Sequence, residues 1–241
     1  MTGFKDLMLI FSIYSFLGWA IETVYVSTIE KKIINRGFLT GFFCPIYGFG
    51  SILIIGTAKW IEDFFRYTYS ALLFNVLVAV VLVTALEYIT GYILEKIFNY
   101  KWWDYSNEPY NLHGYICLKY SLFWGGLAFL LIHVIHPVIL DIVDSIPNAG
   151  KSYLAILLLV YFVADTTKTV VETLDLRKVI LNASTISAKK YYEKIIRYKR
   201  FFLAFPRLLK LNAGMLNCDI RSILNDRMDK IKVELKSRFL G

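Results

Sequence analysis

Apolar residues fall into five long blocks separated by short polar stretches, and the block lengths predict helices over about 5–28, 44–60, 71–96, 120–140 and 153–173. A helix that crosses a bilayer needs roughly 20 mostly apolar residues, so each block is read as a span. The second is the exception in kind. Its apolar run, Pro45 to Ala58, is short and carries Gly48, Gly50 and Gly56, which fits either a tightly packed span or a re-entrant segment. The first block is too long, and lacks a small-residue cleavage site, to be a cleaved leader. Beyond the fifth, apolar and basic residues alternate, as in Tyr191-Tyr192-Glu193-Lys194-Ile195-Ile196-Arg197, the pattern of an amphipathic helix on an anionic leaflet. The expected fold is therefore all-α, a polytopic integral membrane protein. Residues 1–176 would form the transmembrane domain and 177–241 a basic cytoplasmic helical tail.

Two carboxylates interrupt the apolar blocks. Glu22 and Glu87 are costly at such depth, and an ionisable residue there marks a functional site or a tightly satisfied contact. Each has polar company. Ser12, Ser15, Trp19 and Glu22 recur at steps of three and four, as do Thr84, Glu87, Gly91 and Glu95, so each set makes a stripe down one helix face. Counting from Thr28 and Lys96 at about 1.5 Å per residue, both acids lie roughly 9–14 Å from the same membrane boundary. They are expected either to contact a substrate or ion, or to accept hydrogen bonds from buried donors such as Tyr14, Trp19 or Lys168 and hold helices together.

Three polar, aromatic and glycine-rich stretches lie between blocks. Asn35-Arg36-Gly37-Phe38-Leu39-Thr40-Gly41 runs into Cys44-Pro45-Ile46-Tyr47-Gly48, a sharp turn feeding a helix start whose free N–H groups could receive an anion. Trp102-Trp103-Asp104-Tyr105-Ser106, followed by Pro109, Asn111 and Gly114, suits an anchor at headgroup level. Asp104 fits that role poorly and is expected to cap or to pair with Arg36. Asp165 and Lys168, three apart in the fifth block, are spaced to pair along one helix face.

Charge orients the chain. Residues 177–241 hold 16 Lys plus Arg against 5 Asp plus Glu, or +11, which leaves −3 for the rest of a chain of net +8. Basic flanks stay in the cytoplasm, so five spans place the N-terminus outside and the C-terminus inside. The short loops agree: Lys31, Lys32, Arg36, Lys96, Lys101 and Lys119 fall inside, and Lys5, Lys59, Arg66 and Lys151 outside. Cys44, Cys117 and Cys218 then face a reducing compartment, and neither a disulfide nor a metal site is expected of them.

Other motifs carry little chemistry. Ser145-Ile-Pro-Asn-Ala-Gly-Lys-Ser152 lacks the first glycine of a phosphate-binding loop and has no strand before it, so this chain is not expected to hydrolyse ATP. His133 and His136 flank the end of the fourth block without a third ligand. The sequon Asn182-Ala183-Ser184 lies on the cytoplasmic side. Nucleic-acid binding is not expected, because attachment to a membrane domain already accounts for the basic tail. No cofactor is expected.

The order of these blocks resembles the family called "putative ABC-transporter type IV", small bacterial multi-span proteins described as ABC transporter permeases. The matching residues are Tyr14-Ser15-Phe16-Leu17-Gly18-Trp19 with Glu22, Asn35-Arg36-Gly37-Phe38-Leu39 with Cys44-Pro45-Ile46-Tyr47-Gly48-Phe49-Gly50, Glu87-Tyr88-Ile89-Thr90-Gly91 with Glu95, and Trp102-Trp103-Asp104-Tyr105-Ser106 with Asn111-Leu112 and Gly114-Tyr115-Ile116-Cys117. They cover roughly residues 8–140. Phe42 stands where the family pattern has a proline, and Tyr115 where it has an arginine. The resemblance implies a bacterial inner-membrane location and a permease role beside a separate ATPase subunit, or as a homo-oligomer, with anionic lipid or the partner at the tail. Substrate or ion contact would fall to Glu22, Glu87, Trp19, Arg36, Asp104 and Asn111, with Glu95, Asp165 and Lys168 as secondary candidates. The competing expectations are a membrane-embedded enzyme acting on a lipid or envelope precursor and a scaffold or sensor without transport.

Overall fold

A computed structural model describes residues 3–65, 69–181 and 197–205. Cys218, the sequon and most of the basic tail lie outside the described residues. Helix α1 covers Phe4–Glu30, α2 Pro45–Phe65, α3 Tyr69–Phe98, α4 Leu118–Leu130, α5 His136–Ser145, α6 Asn148–Leu181 and α7 Lys199–Ala204. A two-residue hairpin, β1 Asn111–Leu112 against β2 Ile116–Cys117, precedes α4. The fold is thus all-α apart from this hairpin, and among the described residues four helices are long and apolar enough to cross a membrane: Phe4–Glu30, Leu72–Phe98, Leu118–Ser145 and Asn148–Lys178. Pro45–Ile61 is a shorter apolar helix. Such a chain is a multi-pass membrane protein.

The rod Leu118–Ser145 differs from the bounds expected of the fourth block. It continues through a π-turn, Leu131–Ile135, directly into α5, where Pro137 follows the first residue. Proline has no N–H to give and crowds the preceding turn, and the wider turn before it accommodates both effects. His133 and His136 therefore sit inside the rod rather than at its end. His136 Nδ1 lies 3.2 Å from the Tyr14 hydroxyl, which ties α5 to α1.

Helix α1 is central, packed between α2 and α6 and touching α5; α2 packs on α3, and α3 on α4. At one end Lys151 bridges Asp6 at 2.9 Å and Asp144 at 3.4 Å, fastening the starts of α1 and α6 to the end of α5. At the other end Phe98, Tyr100 and Trp102 pack with Tyr198, Phe201 and Phe205 of the tail. Trp102 is 4% exposed, so it belongs to this aromatic core instead of anchoring at headgroup level. Trp103 lies over Gly91, where an added Cβ would meet its ring at 3.1 Å, and donates to the Tyr115 carbonyl at 2.8 Å.

Candidate functional site

The chain between α1 and α2 does not stay at the membrane boundary. It descends along α1, meeting that helix at four positions spaced by four residues. Ile34 N–H donates to Ser27 Oγ at 3.0 Å and Arg36 N–H to Thr23 Oγ1 at 3.4 Å; Trp19 Nε1 donates to Asn35 Oδ1 at 2.9 Å, and Cys44 N–H to the Ser15 carbonyl at 2.9 Å. Ser15 is fifteen residues before the end of α1, so α2 starts about 22 Å along that helix at 1.5 Å per residue. This is irregular backbone at membrane depth, tolerated only where protein or a cavity satisfies its polar groups.

Here protein does so. The Asn35 amide donates to the carbonyls of Thr40 and Gly41 and accepts from Gly37 N–H. From α6, Asp165 accepts from Thr40 N–H at 3.1 Å and Gly41 N–H at 2.9 Å. At Thr40 and Gly41, in the turn ahead of the helix start, the acceptor is thus a carboxylate of the chain itself. Asp165 also accepts from Tyr161 at 3.3 Å, and no ion pair joins it to Lys168 among the described residues. Lys168 is exposed. The i, i+3 spacing allowed that pair, but the carboxylate turns to buried N–H groups that have greater need of an acceptor.

Glu22 and Glu87 meet beside the start of α2. Glu22 Oε1 accepts from the Tyr47 hydroxyl at 2.7 Å, and Oε2 lies 3.8 Å from Arg36 Nε. Glu87 Oε1 accepts from Tyr105 at 3.2 Å and Oε2 from Trp124 Nε1 at 3.1 Å. Tyr47 and Trp124 join the halves, their rings edge to face at 5.6 Å. Four helices and two loops thereby converge on two acids. Glu87 is 6% exposed, and the Glu22 side chain is 36% exposed beside its one cation. Gly18 makes room: a Cβ there would lie 2.1 Å from Tyr47 Cγ. Among the described residues no group of three or more His, Cys, Asp or Glu could hold a metal ion.

The same charges act on a neighbouring loop group. Tyr105 is held well above the usual phenol range, by burial and then by Glu87.

Tyr14, Trp19 and Lys168 are not the donors to these acids; Tyr47, Tyr105 and Trp124 are. The first two stand in blocks that the sequence singles out, whereas Trp124 is a lone indole in an apolar run with no such signal. Asp104 does not reach Arg36 in an ion pair. It accepts from Ser106 N–H at 3.0 Å and lies 3.9 Å from Lys101. Asn111 braces the same loop, donating to the carbonyls of Glu108 and Ser106 and accepting from Gly114 N–H. Glu95 accepts from Tyr115 at 2.6 Å.

The tail reaches this region. Arg200 donates to the carbonyls of Leu39 at 2.7 Å, Phe38 at 3.1 Å and Gly37 at 3.3 Å. Arg36 donates to the Ala204 carbonyl under the ring of Phe205.

One family model, described as Putative ABC-transporter type IV, matches residues 9–170. That interval holds the descending loop, both acids and all their donors. No curated protein and no solved structure matches the chain.

Proposed function

Because this chain belongs to the Putative ABC-transporter type IV family by a match over about two thirds of its length, we propose that it is the permease-like membrane subunit of a transport system. In this reading ATP hydrolysis falls to a separate ATPase subunit. The observation that supports this reading is the irregular segment at membrane depth, which delivers Arg36 and Tyr47 to Glu22 and, through Trp124, to Glu87. Membrane transporters place substrate sites where helices are broken near mid-depth, because only there can backbone and polar side chains face a ligand inside the bilayer. Glu22 and Glu87 contact the substrate or ion from the side that carries the basic tail, which lies in the cytoplasm.

One feature favours a second reading, a scaffold in which the acids only clamp helices. All four carboxylate oxygens have a partner from the protein itself. In the transport reading these donors hold the acids in a closed state and are exchanged for the ligand.

Purification of the full chain with its native neighbours in mild detergent separates the two. The permease reading expects one ATPase to accompany it reproducibly, with ATPase turnover altered in Glu22→Gln and Glu87→Gln variants that insert normally. Absence of any ATPase, with both variants indistinguishable from the parent, leaves the scaffold reading.

A further inference from the structure

A second polar site lies apart from Glu22 and Glu87, in the last turns of α3. Tyr92, Glu95, Lys96, Asn99 and Tyr115 line a pocket of about 260 Å³. It sits at a membrane boundary whichever way the chain is oriented, because the apolar helix Leu72–Phe98 ends there. The outer flank is apolar: Tyr92, Ile93 and Ile97 are 45%, 46% and 44% exposed. Apolar flank and polar pocket together match the level where acyl chain gives way to headgroup.

The charges in this pocket do not neutralise each other. Glu95 and Lys96 are consecutive on a helix and so diverge by about 100°, and neither forms an ion pair among the described residues. Among the described residues Glu95 accepts only from the Tyr115 hydroxyl, through Oε2, with Oε1 given no donor there. Lys96 Nζ rests 5.5 Å from the centre of the Tyr92 ring. Asn99 closes the helix in a left-handed conformation, φ 65°, its N–H on the Glu95 carbonyl at 2.7 Å.

From this arrangement we infer that the pocket binds a phosphoethanolamine group. The ammonium donates to Glu95 Oε1 in a charge-assisted hydrogen bond, the Tyr92 and Tyr115 rings being already faced by Lys96 and Lys101. The phosphate accepts from Lys96 and from the Asn99 side-chain amide. A trimethylated amine has no N–H for Glu95, and a headgroup without an amine leaves that carboxylate facing a phosphate unpaired. The group is a lipid headgroup with its acyl chains along Ile93 and Ile97, or the same chemistry free in solution.

The test is native mass spectrometry of the full-length protein in detergent with phosphatidylethanolamine, phosphatidylcholine or phosphatidylglycerol added, and soluble phosphoethanolamine as competitor. Phosphatidylethanolamine should be retained about tenfold better than the other two, the scale of one charge-assisted hydrogen bond. Glu95→Gln keeps an acceptor for Tyr115 and should lose that preference, with phosphatidylglycerol retained better than by the parent because the carboxylate facing its phosphate is gone. Lys96→Met should weaken both lipids. Displacement by soluble phosphoethanolamine assigns the site to the free group, and retention against it assigns the site to the lipid. Equal retention of all three lipids, or an unchanged preference in Glu95→Gln, overturns the proposal.

Discussion

Tyr47 and Trp124 meet edge to face at 5.6 Å, and each donates its polar hydrogen to a different acid, Tyr47 to Glu22 and Trp124 to Glu87. Their aromatic contact is the joint through which α1–α2 and α3–α4 share one polar cluster. Tyr47→Phe and Trp124→Phe should each cost about 1.5–3 kcal/mol, the range for a hydrogen bond to a charged group. The double variant should depart from additivity by about 0.5 kcal/mol or more, because the rings touch. Denaturant unfolding in detergent measures both; strict additivity would mean that the two halves act independently.

Gly18 is required by the seat of Tyr47. An alanine Cβ there would overlap the Tyr47 ring at 2.1 Å, so Gly18→Ala should destabilise by about 1–3 kcal/mol. Gly56 is on the exposed side of α2 with nothing within 4 Å. Gly56→Ala should stay within about 0.5 kcal/mol of the parent. Thermal unfolding of the pair separates a packing requirement from a general need for glycine.

Asp165 holds the descending loop from the far side. Asp165→Ala leaves Thr40 and Gly41 N–H groups without this acceptor, and each unpaired buried group costs about 1–3 kcal/mol. Thr40 keeps a contact to Thr169 Oγ1 at 3.2 Å, so Gly41 should show the larger effect. Amide hydrogen exchange at the two residues reads this directly, and unchanged protection at Gly41 would contradict the assignment.

High pH should loosen the loops before the helices. Tyr115 and Tyr198 are each raised to about 12 from an ordinary value of 10.0. The leading cause is the hydrogen bond to Glu95 for Tyr115 and burial for Tyr198. A folded-state value above the unfolded one contributes stability that is complete below the unfolded value and lost as pH rises through the folded one. Stability should therefore be flat to about pH 9 and decline towards pH 12.

Arg200 fastens the tail to three consecutive loop carbonyls, so Arg200→Ala should free the segment around α7 while leaving the membrane helices intact. Limited proteolysis would show earlier cleavage near residue 200 with an unchanged core fragment. An unchanged cleavage pattern would place the hold on Tyr198, Phe201 and Phe205 instead.

The long helices were legible because a bilayer demands apolar runs of a set length, and Glu22 and Glu87 because charge stands out within such runs. Their partners were not. Tyr47, Tyr105 and Trp124 reach the acids only through the packing of four helices, and an aromatic residue in a membrane protein reads equally well as anchor, core or donor. Local spacing misled where tertiary need was stronger, as Asp165 passes over Lys168 for two loop amides. The reverse holds for Asp104, which takes Ser106 N–H and lies near Lys101 inside its own turn, the capping alternative to a distant pair with Arg36. The glycines and short apolar run of the second block left both a tightly packed span and a re-entrant segment open. The point along α1 at which that block starts was hidden, because it is set by where Cys44 meets Ser15.

The descent of the Asn35–Cys44 segment also constrains biogenesis. Its acceptors on α6 are made more than 120 residues after it, so the segment cannot settle when α1 and α2 first leave the translocon. A chain arrested at residue 150 should leave Cys44 open to an aqueous thiol reagent, and one extended past Thr169 should protect it. Assembly is thus an out-of-order event, in which the last long helix draws an early loop down into the bilayer.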